Sequence, residues 1–358
     1  MGIIITSFIG VMLILSAYSN HISPNVIHYA VYLSLAFHVL VWLNIAILIF
    51  WAVQKSKIAF ISIVAIALTW NATYRYCPMN FKDNEYNGGE KVTVMSYNTC
   101  SLNKMHRHTK DDPNPIIEYI KEVDADIVCL QEYAIGKSKN SLKERDVERA
   151  LKEQYPYKKI FLSNNRYYES GLACLSKYPI VEATPIIYPK NTNGSIMYSI
   201  DVKGKIIKVV VNHLESNRFS SDDRGLFNYV ATHLSESDSL MGDVKRQIVW
   251  KLANASKRRA KQADVIADYI KDIADYIIVC GDFNDTQQSY VYDKIKGILN
   301  DAYVENCFGP DITYHADKFL FRIDHILYGN GLNPLNTKID KSIKVSDHYP
   351  VITTFEIR

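Results

Sequence analysis

From Met1 through Gln54 the chain contains no Asp, Glu, Lys or Arg, whereas the rest of the 358 residues is ordinarily charged. An uncharged, apolar stretch of that length has lipid rather than water as its natural surroundings. Three apolar runs divide it and its continuation, Ile3–Tyr18, Ile27–Val53 and Ile58–Tyr74, against a need of about 20 residues per spanning helix. Three spans are therefore expected in residues 1–75. The first run lacks the basic start and small-residue cleavage site of a secretory signal, so it reads as retained. Between the second and third runs the only charges are Lys55 and Lys57. An excess of positive charge marks the cytoplasmic loop, which places everything after the third span on the extracytoplasmic side of an inner or plasma membrane. His21, His28 and His38 have no acidic neighbours in these spans and are expected to stay neutral at helix contacts rather than to relay protons.

Residues 76–90 (YCPMNFKDNEYNGGE) are polar and hold a proline and a glycine pair, the composition of a linker. Residues 91–358 then carry 37 basic against 35 acidic side chains. So even a balance lacks the broad positive field with which proteins grip nucleic acid nonspecifically. Cys129, Cys174 and Cys280 sit in apolar runs, and Cys77, Cys100 and Cys307 show no metal-ligand spacing. Neither a zinc site nor a disulfide framework is indicated.

In this second part, strand-like runs (KVTVMSYN, DIVCLQE, GLACLS, IIKVVVNHL, YIIVCGDFN, RIDHILY, YPVITTFEI) alternate with helical patterns at Pro115–Val123, Lys245–Ile273 and Tyr290–Leu299. That alternation predicts an α/β fold. A long polar stretch, 215–243, follows directly on His213 and reads either as a lid over a site or as a surface insertion. Lys257, Arg258, Arg259 and Lys261 cluster on the long helix, interleaved with acids further on, and read as a solvated face in preference to a lipid-binding patch.

Six of the strand-like segments end in polar side chains: Asn98, Glu132, His213, Asp282 with Asn284, Asp324, and Asp347 with His348. Strand ends are where sites assemble in α/β folds. Asp282 and Asn284 are two residues apart, so on an extended backbone both project to one face while Phe283 turns to the core. Gathered carboxylates repel, and a hard cation offsets that repulsion. Oxygen ligands suit Mg2+, with Mn2+ or Ca2+ as alternatives.

The ordered motifs YN, LQE, NHL, GDFN, RIDHI and SDHYP resemble those of the endonuclease/exonuclease/phosphatase (deoxyribonuclease I-like) superfamily, in the form of a membrane-anchored, bacterial-type member. The resemblance covers about residues 92–357 and implies a four-layer α/β sandwich, two mixed β-sheets flanked by helices, following the transmembrane helical segment. It also implies roles. Glu132 would be the principal metal ligand, assisted by Asn98 and Asp347. Asp282 would orient or deprotonate the attacking water, and Asn284 would position it. His348, paired with Asp324, and His213 would contact phosphoryl oxygens or assist the leaving group, while Glu169 is a weaker candidate for orienting His213. A metal-dependent hydrolase of a phosphodiester follows, with phospholipid or sphingolipid headgroups favoured over DNA or RNA because of the anchor and the even charge. A catalytically inactive receptor or scaffold is the reading from another class. The expected partners are the lipid bilayer and the phosphoester substrate, and no protein partner is identifiable.

Overall fold

A computed structural model describes residues 1–81, 84–188, 194–217, 239–316 and 320–358. Helices α1 (Gly2–Tyr18) and α2 (Ala30–Val53) are long and apolar enough to cross a membrane. The third apolar run is two helices, α3 (Ala59–Leu68) and α4 (Trp70–Tyr76), broken at Thr69. The Thr69 hydroxyl donates back to the carbonyl oxygens of Ala65 and Ile66, a bond that competes with the helical ladder and bends the chain. The expected third span is thus interrupted by its own threonine.

These helices pack around Leu13, Phe37 and Val41, with small polar residues between them and many apolar ones outside. Thr6, Ser16, Ser34, Asn44 and Ser62 are buried, while Ile4, Phe8, Val39, Phe60 and Val64 face outward. Asn44 donates its amide to the carbonyl oxygens of Ile9 and Leu40, and Ser16 donates to Leu33. Small and polar residues between helices, with apolar ones outside, are the arrangement used where the surrounding solvent is hydrocarbon. α1 and α2 run antiparallel: Thr6 pairs with Trp51 at one end, and Ser16 with Leu33 at the other.

The rest of the chain is an α/β sandwich. One mixed six-stranded sheet has the order β11-β12-β1-β2-β4-β3, with β1 (Glu90–Asn98) parallel to β2 (Ile127–Gly136) and antiparallel to β12 (Val351–Ile357). β4 (Tyr168–Ser176), the edge strand β3 (Tyr157–Asn164) and β11 (Leu332–Ile339) complete it. The other sheet runs β5-β6-β7-β8-β10-β9: β5 (Ile180–Ile186), β6 (Ser195–Val202), β7 (Lys205–His213), β8 (Ile277–Asp282), β10 (Asp324–Tyr328) and β9 (Asn300–Asp301). Val94, Cys129, Val209, Cys280 and Phe355 fill the space between the sheets. A short helix α5 (Cys100–Met105) follows β1. Helices α6 (Pro115–Val123) and α7 (Glu144–Leu151) cover the outside of the first sheet; α8 (Ser239–Ile270) and α9 (Tyr290–Lys296) cover the second, and α10 (Ala302–Asn306) closes an edge. This is the expected four-layer architecture. Beyond the seven strand-like runs, it adds β3, β5, β6, β9 and β11. Most of these are edge or short strands; prolines in β5 and β11 blur the pattern, and in β6 Ser199 and Asp201 interrupt the apolar run.

The segment before β1 is pinned down. Asn80 donates to the carbonyl oxygens of Val304 and Cys307, and the buried Glu356 carboxylate accepts from the backbone N–H groups of Asn87 and Gly89. The helical bundle also docks on the sandwich: Asp293 accepts from Asn20 and pairs with Arg75, and Gln288 donates to the carbonyl of Ala72.

Candidate active site

The two sheets present the same edge to solvent at one end, because β1, β2, β7 and β8 finish there while the antiparallel β10 and β12 begin there. In register, Asp282 lies opposite both His213 and Asp324. Gly281 is required at this point: its φ is +127°, and a Cβ would collide with the Asn212 carbonyl oxygen of β7. That close approach brings Asp282 against His213.

Asp282 is the hub. Its Oδ2 accepts from Asn98 Nδ2 (3.1 Å) and Asn284 Nδ2 (3.1 Å), and its Oδ1 accepts from the backbone N–H of Asn284 (2.7 Å). The Nε2 atoms of His213 and His348 each lie 3.8 Å from Oδ2. Asn284 arrives differently from the strand alternation expected. β8 ends at Asp282, Asn284 takes a left-handed φ of 52°, and its side chain folds back onto Asp282 and the Leu214 carbonyl. Phe283 is buried as expected. The two polar residues meet through an Asx-type turn closed by the Asp282 carboxylate, and asparagine tolerates the left-handed backbone at 284.

Asp324 Oδ2 and His348 Nδ1 are 2.8 Å apart, both buried, although 24 residues separate them in sequence. Glu132 also departs from the expected strand end. It sits within β2, at a bulge between Leu130 and Tyr133, with φ at 51°. A bulge re-aims one side chain out of the alternation, and here it turns the carboxylate to within 3.8 Å of His213 Nε2. Glu132 and Asp282 therefore open onto the same imidazole. Asp347 stands beside Asn98 through Ser346, whose hydroxyl donates to the Asn98 carbonyl (2.7 Å). Glu169 lies in β4 opposite Ile135 of β2; the acids that act most on His213 are Asp282, Asp324 and Glu215.

The site separates its protonation states. Burial pushes the Asp282 carboxyl up to about 6, against the pull of His348. Burial alone would lower His348, but the Asp324 and Asp282 carboxylates hold it up at about 10, so it is an imidazolium. Burial lowers His213, leaving that ring neutral at pH 7. A carboxylate near neutrality beside a fixed cation is the pairing acid–base chemistry needs.

Two groupings could hold a cation. Ligand atoms of Asp282, Asp324 and His348 lie within 4.8 Å of one another. In that trio Asp324 Oδ2 and His348 Nδ1 are spent on each other, and a protonated imidazole has no lone pair to offer, so charge pairing accounts for the cluster. Glu132 and Asp347 instead converge on one thiol, Cys100. Burial and then these two carboxylates raise it to about 11. These two carboxylates and the Asn98 amide oxygen, which accepts from the Cys100 N–H, are oxygen donors of the kind that fits a hard divalent cation.

Several supporting residues were not visible in the sequence. Cys100 through Met105 all have φ between 46° and 60°, so α5 is left-handed throughout. Left-handed turns cost L-residues about 1–2 kcal/mol each, and here surrounding bonds hold them. The buried Thr99 hydroxyl lies within hydrogen-bonding distance of the carbonyl oxygens of Gln131 (3.1 Å) and Glu132 (3.0 Å) and accepts from the N–H of Leu102. Asn114 donates to the carbonyl oxygens of Leu102 and His106. Behind His213, the basic cluster of α8 is neither a solvated face nor a lipid patch at its centre: Arg259 is buried and pairs with Asp285, and Arg258 pairs with Glu215. The stretch 215–243, expected as a lid or an insertion, lies for 218–238 outside the described residues.

A search of curated proteins finds no match to this sequence. Among solved structures, an endonuclease/exonuclease/phosphatase from Beutenbergia cavernae DSM 12333 has a TM-score of 0.50 at 15% identity, over 75% of this chain and 72% of its own. The human Nocturnin catalytic domain with bound sulfate gives 0.49 at 16% identity over 75% and 95%, and sphingomyelinase C from Streptomyces griseocarneus gives 0.42 at 20% over 74% and 99%. Residues 1–76 match a domain of unknown function, DUF8431. The profile of the Endonuclease/Exonuclease/phosphatase family matches residues 95–348, from within β1 to His348. The chain belongs to that family and is a metal-dependent hydrolase acting on phosphoester bonds.

Proposed function

We propose that the protein is anchored in a membrane by residues 1–75 and hydrolyses a phosphodiester in the headgroup of a phospholipid or sphingolipid, with the catalytic domain, residues 91–358, on the extracytoplasmic side. One contact carries the choice of lipid over nucleic acid. The ring of Phe321 lies 5.4 Å from His38 of α2, Phe321 pairs with Tyr314, and the Tyr314 ring lies 5.0 Å from that of His348. Two aromatic residues thus separate a candidate spanning helix from the catalytic histidine. The orientation follows from the bundle. Its amino terminus and the Lys55–Lys57 loop lie at the end far from the sandwich, the end the positive-inside rule assigns to the cytoplasm.

In the mechanism we infer, Asp282 accepts a proton from the water that attacks phosphorus, while Asn98 and Asn284 hold its oxygens in place. His348, kept protonated by Asp324, donates to a nonbridging phosphoryl oxygen as negative charge develops. His213 is placed to hydrogen-bond the phosphoryl or leaving oxygen. The bond from phosphorus to the leaving oxygen breaks, and that oxygen takes a proton from water. Glu132, Asn98 and Asp347 would hold the divalent cation, which when bound polarises the phosphoryl group.

The test is the full-length protein in bilayers with Mg2+, offered phosphatidyl lipids, sphingomyelin, DNA and RNA. Release of a phosphorylated headgroup is expected. Cleavage of nucleic acid alone would overturn the lipid reading, and a folded protein inactive on all four would favour a scaffold.

A further inference from the structure

Between α4 and the helices α9 and α10 lies a cleft of about 300 Å³ that shares no lining residue with the catalytic centre. Trp70 and Tyr74, from the last turns of the third apolar run, form one wall, and Arg75, Asp293, Lys296 and Glu305 supply its charges. Tryptophan and tyrosine at the end of a spanning segment mark the depth of lipid headgroups.

The charges in the cleft are unevenly satisfied. Asp293 is engaged by Asn20, His21 and Arg75, and Asp301, deeper in, is paired with Arg322 and accepts from Tyr292. Lys296 is half-buried and Glu305 is exposed, and neither side chain has an ion pair or hydrogen bond among the described residues. Burial, followed by Arg75, pushes the Lys296 amine down against three acids, and burial, followed by Asp301, pushes the Glu305 carboxyl up against Lys296. Both side chains line the cleft, where a ligand can reach them. One wall offers Lys296 beside Arg75, which is paired with Asp293, and another offers the Glu305 carboxylate.

We propose that this cleft is a noncatalytic binding site for the headgroup of a zwitterionic glycerophospholipid, its phosphate held by Lys296 and Arg75 and its ammonium by Glu305. The ligand chemistry is a phosphodiester that carries a cationic amine. A bound lipid would bridge the bundle and the sandwich where Asp293 already joins them, fixing the height of the catalytic edge above the bilayer. This inference rests on the reading of residues 1–75 as a membrane anchor.

The experiment uses the full chain in detergent with a chelator present, so that the catalytic centre contributes little. The probes are a short-chain phosphatidylethanolamine, the matching phosphatidylglycerol, soluble glycerophosphoethanolamine and inorganic phosphate, each titrated against the melting temperature. Phosphatidylethanolamine should stabilise at the lowest concentration. Lys296→Gln should weaken both lipids about tenfold, whereas Glu305→Gln should weaken phosphatidylethanolamine by a similar factor and leave phosphatidylglycerol unchanged. Hydrolysis of a soluble chromogenic phosphodiester should be the same in both variants. Equal lipid affinities in wild type and variants would overturn the proposal, as would inorganic phosphate acting as well as lipid. Flotation with liposomes separates the two ideas: a chain that floats but shows unchanged affinities defeats the cleft alone, and a chain that does not float defeats the anchor and the cleft with it.

Discussion

The helical bundle and the α/β sandwich of this chain use the same residue types to opposite ends. In the bundle Asn44, Ser16 and Thr6 are buried between helices beside Leu13, Phe37 and Val41, while many other large apolar side chains face out. In the sandwich the apolar side chains fill three inner layers, and the polar side chains of the candidate site gather at one edge. His38 rests against the rings of Phe37, Tyr76 and Phe321, whereas His348 is clamped by two carboxylates. What a buried polar group signifies thus depends on the element that carries it. In the bundle it joins helices; in the sandwich it either holds the fold, as Glu356 does, or lines the candidate site, as His348 does.

The sharpest way to break this contrast is to remove polar groups from each region. Glu132→Gln and Asp282→Asn should each lower kcat on any phosphodiester by about 10³-fold with the fold intact by circular dichroism. Asn44→Leu in the bundle should leave kcat on a soluble substrate unchanged. Next in size is deletion of residues 1–76: activity on a soluble phosphodiester should survive, while activity on lipid in vesicles should fall about 10²-fold through lost effective concentration. Vesicle rates unaffected by the deletion would remove the bundle from the account.

Smaller effects probe how the edge is held. Thr99→Val removes the bonds from Thr99 to the backbone of β2 at Gln131 and Glu132. It should raise the Mg2+ concentration needed for half-maximal activity about tenfold, with less change in kcat at saturating metal, and Thr99→Ser should restore it. Least is expected of Glu356, whose carboxyl is held low by the N–H of Gly89 first, with Asn333 and Asn87 assisting. A depressed carboxyl stabilises above its unfolded pKa and loses that contribution as pH falls. Wild type should therefore melt higher than Glu356→Gln at pH 7, and the two curves should converge below about pH 4. A gap that persists in acid would show that charge is not the cause.

Much of this was legible in residue order. The absence of charge through Gln54 marked the bundle, and the alternation of apolar runs marked the α/β fold. The polar ends of six runs identified the residues the structure draws together at one edge. Other features had no local signal. The bulge that re-aims Glu132 and the left-handed course of Cys100–Met105 arise from tertiary bonds made by Thr99 and Asn114, and nothing in TCSLNKM predicts six positive φ angles. Asn284 was placed beside Asp282 for the wrong reason, since strand alternation and an Asx turn both bring i and i+2 together. Arg259 resembled a surface cation because its partner, Asp285, lies on a different element.

The central claim is that one hard cation is held by Glu132, Asn98 and Asp347, with Asp282 and the Asp324–His348 pair left free to act on water and phosphate. Anomalous diffraction from crystals of the full-length protein grown with Mn2+ tests it directly. The account predicts a single peak about 2.2 Å from a Glu132 carboxylate oxygen. A peak bounded by Asp282, Asp324 and His348 instead, or no peak at this edge, would contradict it.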